Sequence, residues 1–314
     1  MNSMHSKQKT LLQAIVDGMI ANRRRIAADW RILLIQRQAT REIAADRRRW
    51  RKAWESPWEA RSWILGNSDW EILRPLEECD SLFALGTGAL LPGQAPLSAI
   101  DVLVEANPAA TLSHITALHF HGLTEDMPGP IHLSAPIDRP TQATLCCGVS
   151  EEEWEELGHN AITYRKPTSI YGAEVVWHRI RNNRLIGIRD YLRSGSSVRA
   201  MTPERVLLEG LMSPEWCGGL SGVFKSWAMA LDTIDLKHLI ECAEAIGSAV
   251  LRQRAGFLLE RGGVHHSTLD RWATEARGGG SAKLDPHAPF GSITQVDERW
   301  KISINTNLVT EGNP

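Results

Sequence analysis

The stretch Thr202-Pro-Glu-Arg-Val-Leu-Leu-Glu-Gly-Leu-Met212 decides the class of the C-terminal fold, because it carries the clearest helix pattern of the chain. Thr202 is a good helix cap, and a proline directly after it fits the first helical turn. Val206, Leu207 and Leu211 then return on one face, which predicts an amphipathic helix packed on a core. Similar helix patterns follow downstream, over residues 219–231, 235–246, 248–261 and 266–277.

Short strand patterns lie on both sides of these helices. Their β-branched residues and turn punctuation predict strands at 131–133, 161–164, 174–177 and 185–188. The closing segment Trp300–Asn305 alternates apolar and polar residues, as a half-buried strand does. Further helices are expected at 100–105, 111–122 and over the acidic run 151–156. Residues 93–314 are therefore expected to form a mixed α/β domain.

The N-terminal part has a different pattern. Apolar spacing predicts a helix over residues 9–20, and the absence of Pro and Gly from 26–54 predicts a second one. Ser56-Pro57-Trp58-Glu59 combines a cap, a first-turn proline and a capping-box carboxylate, so a third helix is expected to begin there and to end near Gly66-Asn67. Two strands, 70–76 and 81–85, are expected to follow as a hairpin.

This order of elements, two helices followed by a third helix and a two-stranded hairpin, is typical of a winged helix-turn-helix. Residues 86–96 are rich in Gly and Pro and form the expected linker. The chain is thus predicted to be α+β. An N-terminal helical, winged-helix-like DNA-binding domain (1–92) is expected to precede the larger mixed domain (93–314).

Charge is distributed unevenly along the chain. Residues 1–52 contain 13 Lys and Arg against 4 Asp and Glu, whereas the remainder contains 22 against 33. A basic part with a net charge of +9 next to an acidic part of −11 indicates that the basic part faces a polyanion. A merely solvated basic helix stays an alternative, as does self-association, in which the basic part of one copy meets the acidic part of another in a homodimer.

Arginine suits the phosphate backbone because it makes bidentate contacts, and such binding depends steeply on salt. The indoles of Trp50, Trp54 and Trp58 are spaced four residues apart, which favours a packing seam over a base-stacking surface. On the helix 57–66, Arg61 and Ser62 are the side chains suited to reading bases. The residues expected to contact double-stranded DNA are Arg23, Arg24, Arg25, Arg47, Arg48, Arg49, Arg51, Lys52, Arg61 and Arg74.

Common enzyme signatures are absent from the sequence, including the P-loop, the Gly-rich dinucleotide loop, the H-E-x-x-H helix and the G-x-S-x-G elbow. Asp235-Leu-Lys237 has the spacing of a nuclease D-x-K, but it lies at a predicted helix start without an upstream strand carboxylate. The sequence therefore predicts a protein that is not an enzyme and that needs no cofactor.

His114, His119 and His121 are the most suggestive metal ligands in the sequence, with the adjacent Cys146 and Cys147 downstream. No carboxylate or cysteine stands at ligand spacing, so packed or capping histidines are preferred and no metal is predicted.

The five cysteines include no C-x-x-C pair, which suits free thiols in a reducing compartment. No apolar run approaches the roughly 18 residues that span a bilayer. A cytoplasmic protein without membrane contact is expected.

Four separated segments resemble the AbiEi family of antitoxins. Leu112-Ser-His-Ile-Thr-Ala-Leu-His-Phe-His-Gly-Leu-Thr124 is similar to its "S-H-x-S-A-L-x-x-H-G-L" helix, and Thr202–Leu211 with Pro214-Glu-Trp-Cys-Gly-Gly-Leu220 to its "P-E-R-T-L-L-D-G-L … P-x-x-C-G-G" segment. Arg254–Glu260 and Asp297–Asn305 match further along, in the same order. The motif positions are Ser113, His114, His121, Gly122, Pro203, Glu204, Arg205, Gly218, Gly219 and Arg254.

The resemblance implies an N-terminal winged helix joined to an α/β antitoxin domain. It also implies repression of the protein's own promoter and neutralisation, direct or indirect, of a neighbour-encoded nucleotidyltransferase-like toxin, often in phage defence. The long region 1–55 departs from the usual short winged helix. The motif positions are expected to build the fold: Glu204 and Arg205 through an ion pair or a cap, Gly218-Gly219 by ending one helix and starting another.

Two other functions stay open. The basic helices could dock a protein partner within a defence complex without binding DNA, or the chain could be a nuclease or transferase acting on nucleic acid.

Overall fold

The computed structural model of the protein describes residues 11–21, 26–44, 54–66, 70–72, 82–85, 98–138, 150–157, 162, 164–181, 184–193, 196–277, 282–289 and 295–309. Contacts divide the chain into two compact units. Unit 1 comprises Met1–Ala110, Arg139–Ala173 and Asp190–Val198, and unit 2 comprises Thr111–Asp138, Glu174–Arg189 and Arg199–Pro314. The predicted domain boundary at residues 92 and 93 lies outside the described residues.

The helices are α1 (Leu11–Ala21), α2 (Asp29–Ala44), α3 (Pro57–Leu65), α4 (Ala99–Ala106), α5 (His114–Phe120), α6 (Glu151–Leu157), α7 (Pro203–Met212), α8 (Gly219–Ala230), α9 (Leu236–Ile246), α10 (Ala249–Arg261) and α11 (Ser267–Glu275). The strands are β1 (Ile26–Ala28), β2 (Trp70–Ile72), β3 (Leu82–Leu85), β4 (Thr111–Leu112), β5 (Ile131–Pro136), β6 (Ser169–Ile170), β7 (Ala173–Ile180), β8 (Ile188–Arg193), β9 (Ser196–Met201), β10 (Gln295–Asp297) and β11 (Ile302–Ile304). The mixture agrees with the predicted α+β class.

Unit 1 contains a three-stranded antiparallel sheet in the order β1-β3-β2. Helix α2 packs against both α1 and α3. Ile15, Met19, Trp30 and Ile32 are fully buried, so the facing sides of α1 and α2 form the core of this part. The two predicted strands pair antiparallel, with Trp70 opposite Leu85, and residues 73–81 between them lie outside the described residues.

The predicted helix 26–54 is wrong at its start, because Ile26–Ala28 form a strand that pairs with Leu82–Ala84. Helix α2 spans Asp29–Ala44, residues 45–53 lie outside the described residues, and Trp54 is not helical. Alanine favours helices, but pairing with β3 in a fully buried environment outweighs that local preference. Helix α3 begins at Pro57 and spans Pro57–Leu65, as its cap pattern predicted.

The larger sheet has six strands in the order β6-β7-β5-β4-β9-β8 and is mixed. β4 runs antiparallel to β5 and parallel to β9, and β5 runs parallel to β7. The predicted helix 111–122 is wrong at its start, because Thr111 and Leu112 pair with Ser134 and Leu133 before α5 begins. In the predicted strand 161–164, the described residues Ile162 and Tyr164 are not in a strand.

Helix α7 lies at the centre of the helical part of unit 2, where it contacts α5, α8, α9 and α10. Thr202 caps it by accepting a hydrogen bond from the Arg205 N–H, as predicted. The Trp227 indole N–H donates to the Leu207 carbonyl at 3.2 Å, which fixes α8 against it. The four predicted downstream helices are confirmed within a residue or two at their ends.

Among the described helices, none is both long and apolar enough to cross a membrane.

Candidate functional site

Three histidines from separate elements of unit 2 converge at one place. His114 lies at the start of α5, His132 on β5 and His178 on β7. Each offers one ring nitrogen, and these three nitrogens lie within 4.8 Å of one another. We call this set the histidine cluster. It is the one group of three or more potential metal ligands found among the described residues.

The sheet places two members of the histidine cluster on one face. His132 is opposite Val176 in the parallel register of β5 and β7. His178 is two residues further along β7, so its side chain points to the same face as that of His132. The Nδ1 atom of His132 lies 2.9 Å from the Nε2 atom of His178, within hydrogen-bond distance.

The turn into α5 brings the third member against this face. The Ser113 N–H donates to the His132 carbonyl at 3.2 Å, and the His132 N–H donates to the Thr116 hydroxyl at 2.8 Å. The Ser113 hydroxyl lies 3.0 Å from His114 Nδ1 and holds that ring in orientation. His114 adopts a φ of +51°, a left-handed conformation that is uncommon for residues other than glycine.

The three rings pack against one another and against Trp216. The centroids of His114 and His178 are 4.0 Å apart. Trp216 lies 5.5 Å from His132 and 5.4 Å from His178 between ring centroids, and it is 40% exposed. Beside it, the Glu215 carboxylate is 2.7 Å from the ring of His287. His114 and His132 are buried, whereas His178 is half-buried beside the partly exposed Trp216.

Burial favours the neutral form of each of the three rings. Desolvation lowers the pKa of His114 to about 2, and the charges of His178, His132 and Arg205 act in the same direction. Burial also lowers the pKa of His178 to about 4, against an opposing effect of Glu215. The pKa of His132 is lowered for the same reason. A neutral imidazole is the form that binds metal ions.

Several of the motif positions surround α7 and have structural roles. The Nε2 of His121 lies 2.7 Å from the Met201 carbonyl. Glu204 accepts a hydrogen bond from the Asp235 N–H at 3.1 Å, and Arg205 forms a buried ion pair with Glu209. Arg254 donates to the Leu211 carbonyl at 2.7 Å, so it joins α10 to the end of α7.

The glycines of these motifs behave as helix-boundary residues. Gly122, with a φ of +70°, follows His121, the C-cap of α5, and Gly218 and Gly219, with φ of +81° and +74°, lead into α8. The expectation that Gly218-Gly219 separates two helical segments is confirmed, since a 3₁₀ turn at Pro214–Trp216 precedes them. The motif residue His114 belongs to the histidine cluster, and the motif residue Ser113 contacts it through its hydroxyl.

Nearly all of the predicted DNA-contacting residues lie outside the described residues, namely Arg23, Arg24, Arg25, Arg47, Arg48, Arg49, Arg51, Lys52 and Arg74. The exception is Arg61 on α3, which is partly buried and whose charge acts on Asp29. Cys146 and Cys147, considered beside the histidines as possible metal ligands, also lie outside the described residues. Asp235 of the D-x-K pattern is the cap of α9, where it accepts from the His238 N–H, as expected for a helix start.

Sequence reasoning identified His114 but missed His132 and His178. The three are separated by 18 and 46 positions, so no ligand spacing connects them. A usable signal was present, since a histidine lies inside the predicted strand 131–133 and another directly follows the predicted strand 174–177.

Comparison with known proteins supports the fold alone. No protein-family model matches the chain, and no curated protein matches it either. Among solved structures, the chain is similar to the RV2827C protein from Mycobacterium tuberculosis, with a TM-score of 0.50 and 14% sequence identity. The similarity covers 93% of this chain and 90% of that one.

Proposed function

We propose that the protein is a DNA-binding regulator of the antitoxin type, and that unit 1 contacts double-stranded DNA. The observation that carries this proposal is the element order α1-β1-α2-α3-β2-β3 together with the sheet order β1-β3-β2. In a winged helix-turn-helix the same order places the third helix, here α3, in the major groove and the hairpin beside it as the wing.

The surface of α3 supports this assignment. Trp58 is 71% exposed, and Ser62, four residues later on the same face, is exposed as well. An indole left in solvent on a short helix suits contact with a partner surface. Arg61 precedes Ser62 in α3, so a positively charged side chain lies beside the face formed by Trp58 and Ser62.

Charge supports the same conclusion. Residues 1–52 contain 13 Lys and Arg but only 4 Asp and Glu. Each phosphate that a cation neutralises releases counterions, so the affinity should fall steeply with salt. Phosphate contacts position such a protein on the duplex, and the few side chains of α3 would supply base contacts.

The antitoxin part of the proposal rests on the four collinear motifs that resemble the AbiEi family. In this role the protein represses its own promoter and neutralises a neighbour-encoded nucleotidyltransferase-like toxin, by contact or indirectly. Co-expression of the toxin gene with this chain tests neutralisation, and rescue of growth is the expected result.

DNA binding is tested with the full chain and a labelled fragment of the promoter upstream of its gene, across a series of salt concentrations. We expect replacement of Arg47, Arg48 and Arg49 by Ala to weaken binding and to reduce the salt slope by roughly 0.9 for each lost phosphate contact. The matched control replaces Arg181, Arg184 and Arg189, three exposed arginines of unit 2, by Ala. It removes the same charge and should leave binding unchanged.

Equal affinity and salt slope in the wild type and the Arg47–Arg49 variant would overturn the assignment of DNA contact to that region. Absence of any retardation, combined with co-purification of the neighbour-encoded protein, would instead identify the chain as a protein-interaction subunit.

A further inference from the structure

We infer that His114, His132 and His178 form a binding site for a divalent transition-metal ion of the Zn²⁺ class, with three imidazole ligands and one open coordination position. This inference is independent of the proposed DNA contact, since all three residues belong to unit 2. No motif or resemblance in the sequence assigns such a site.

The spacing of the ring nitrogens suits a small cation. Zinc binds imidazole nitrogen at about 2.0–2.1 Å, so two nitrogens in a tetrahedral set lie roughly 3.3 Å apart. In the histidine cluster one pair is separated by 2.9 Å, and all three nitrogens are within 4.8 Å of one another. Small rotations of the side chains would bring them to a common distance from one ion.

The chemistry of the donors selects the class of metal. Neutral imidazole is a preferred ligand of Zn²⁺, Cu²⁺, Ni²⁺ and Fe²⁺, whereas Mg²⁺ and Ca²⁺ prefer carboxylate and carbonyl oxygen. All three donors that the cluster offers are imidazole nitrogens.

The backbone around His114 provides a second, independent observation. A non-glycine residue in the left-handed region is a local strain that the surrounding structure must enforce, and such residues gather at functional sites. Here that conformation brings the His114 ring within 4.0 Å of the His178 ring, centroid to centroid, and the Ser113 hydroxyl fixes it there. Hydrogen-bonded partners that orient a ligand in this way are typical of metal sites.

Three protein ligands leave one position of a tetrahedral zinc site open. Such an open position binds water or a further ligand, whereas structural zinc sites are closed by four protein ligands. Trp216 covers the cluster on the solvent side and is 40% exposed. Glu215 precedes Trp216 in the chain, and its carboxylate lies 2.7 Å from the ring of His287. A water or a further ligand would reach the open position from the side of the partly exposed Trp216.

The experiment uses the full chain, stripped of metal with a chelator and then titrated with Zn²⁺ by calorimetry and with Co²⁺ by visible absorption. We expect one equivalent of each ion to bind. The Co²⁺ complex should show the intense d–d bands of a four- or five-coordinate nitrogen-rich site, and Zn²⁺ should abolish them by displacement.

The test variants are His178→Ala and His132→Gln, and the matched control is His265→Ala, an exposed histidine outside the cluster. We expect each cluster variant to weaken Zn²⁺ binding by about tenfold or more and to remove the Co²⁺ bands. The control should bind both ions as the wild type does. Circular dichroism identifies any variant that fails to fold. Two different substitutions at two positions are used so that the test does not depend on the folding of a single variant.

The inference is overturned if metal-free wild type binds neither ion at micromolar concentration. It is equally overturned if a folded cluster variant retains wild-type affinity and the Co²⁺ spectrum, because the ion would then be held elsewhere, and the three rings would be a packed, hydrogen-bonded group.

Discussion

The Nε atom of Arg31 on α2 donates to Oε1 of Glu105 on α4 at 2.7 Å, with side chains only 5% and 2% exposed. The same carboxylate oxygen accepts the Ala28 N–H at 2.9 Å. One buried carboxylate therefore joins α4 to both β1 and α2. Unit 1 thus includes a helix from beyond the Gly- and Pro-rich segment 86–96, and that helix is bonded to β1 and α2.

Replacement of Glu105 by Ala should lower the free energy of unfolding by about 3–5 kcal/mol, because it leaves the buried guanidinium of Arg31 without this carboxylate. Urea denaturation followed by tryptophan fluorescence measures the change. The control is Arg41→Ala, which removes a pair between Arg41 and Glu156 in which Arg41 is 64% exposed. That change should cost less than about 1 kcal/mol. Equal losses in the two variants would contradict the assigned role of Glu105.

Gly256 should not tolerate a side chain. A Cβ atom at this position would lie 2.0 Å from Cη2 of Trp300, whose indole N–H is held by Glu260 at 2.7 Å. Gly256→Ala should therefore destabilise the protein by about 1–3 kcal/mol or more through overpacking. Gly129→Ala is the control, since a Cβ there meets nothing within 4 Å. A melting temperature unchanged in both variants would show that Trp300 moves aside freely.

Cys242 should react slowly with alkylating agents in the folded protein. Burial raises the pKa of its thiol to about 11, and it also raises the pKa of Cys217. Since the thiolate is the nucleophile, both cysteines should be modified much more slowly by iodoacetamide at pH 8 than in urea. Peptide mass spectrometry after timed quenching measures the two rates, and similar rates with and without urea would refute this expectation.

His121 should make the stability of the protein sensitive to acid. Burial is the main cause that lowers its pKa in the folded state from the ordinary value of 6.5, while its ring is bonded to the Met201 carbonyl. Below pH 6.5 the unfolded chain therefore binds a proton that the folded protein resists, and stability falls as the pH decreases. Well above pH 6.5 the His121 ring is neutral in both the folded and the unfolded chain, so its contribution to stability is fully present.

Urea denaturation from pH 7.5 down to 5 should show a shallower loss of stability in His121→Gln than in the wild type. The two proteins should follow parallel curves above pH 7.5. A variant with the same slope as the wild type between pH 6.5 and 5 would contradict the expectation.

Much of the secondary structure could be predicted from local pattern. The start of α3, the pairing of β2 with β3, and helices α7 to α11 follow from cap patterns, periodicity and turn residues, which act over a few positions. Two of the errors fall where a distant partner decides the conformation. Ile26–Ala28 become a strand because β3 lies beside them, and Thr111-Leu112 because β5 does.

The sequence by itself determined the uneven charge, the α+β class and the capped helix α7 around which the motif positions lie. The histidine cluster was decided by the tertiary structure. Its members come from α5, β5 and β7, and only the parallel register of two strands and the left-handed turn at His114 bring their rings together. Helix periods and caps are local properties of a chain, whereas convergence of side chains from separate elements requires the packed sheet.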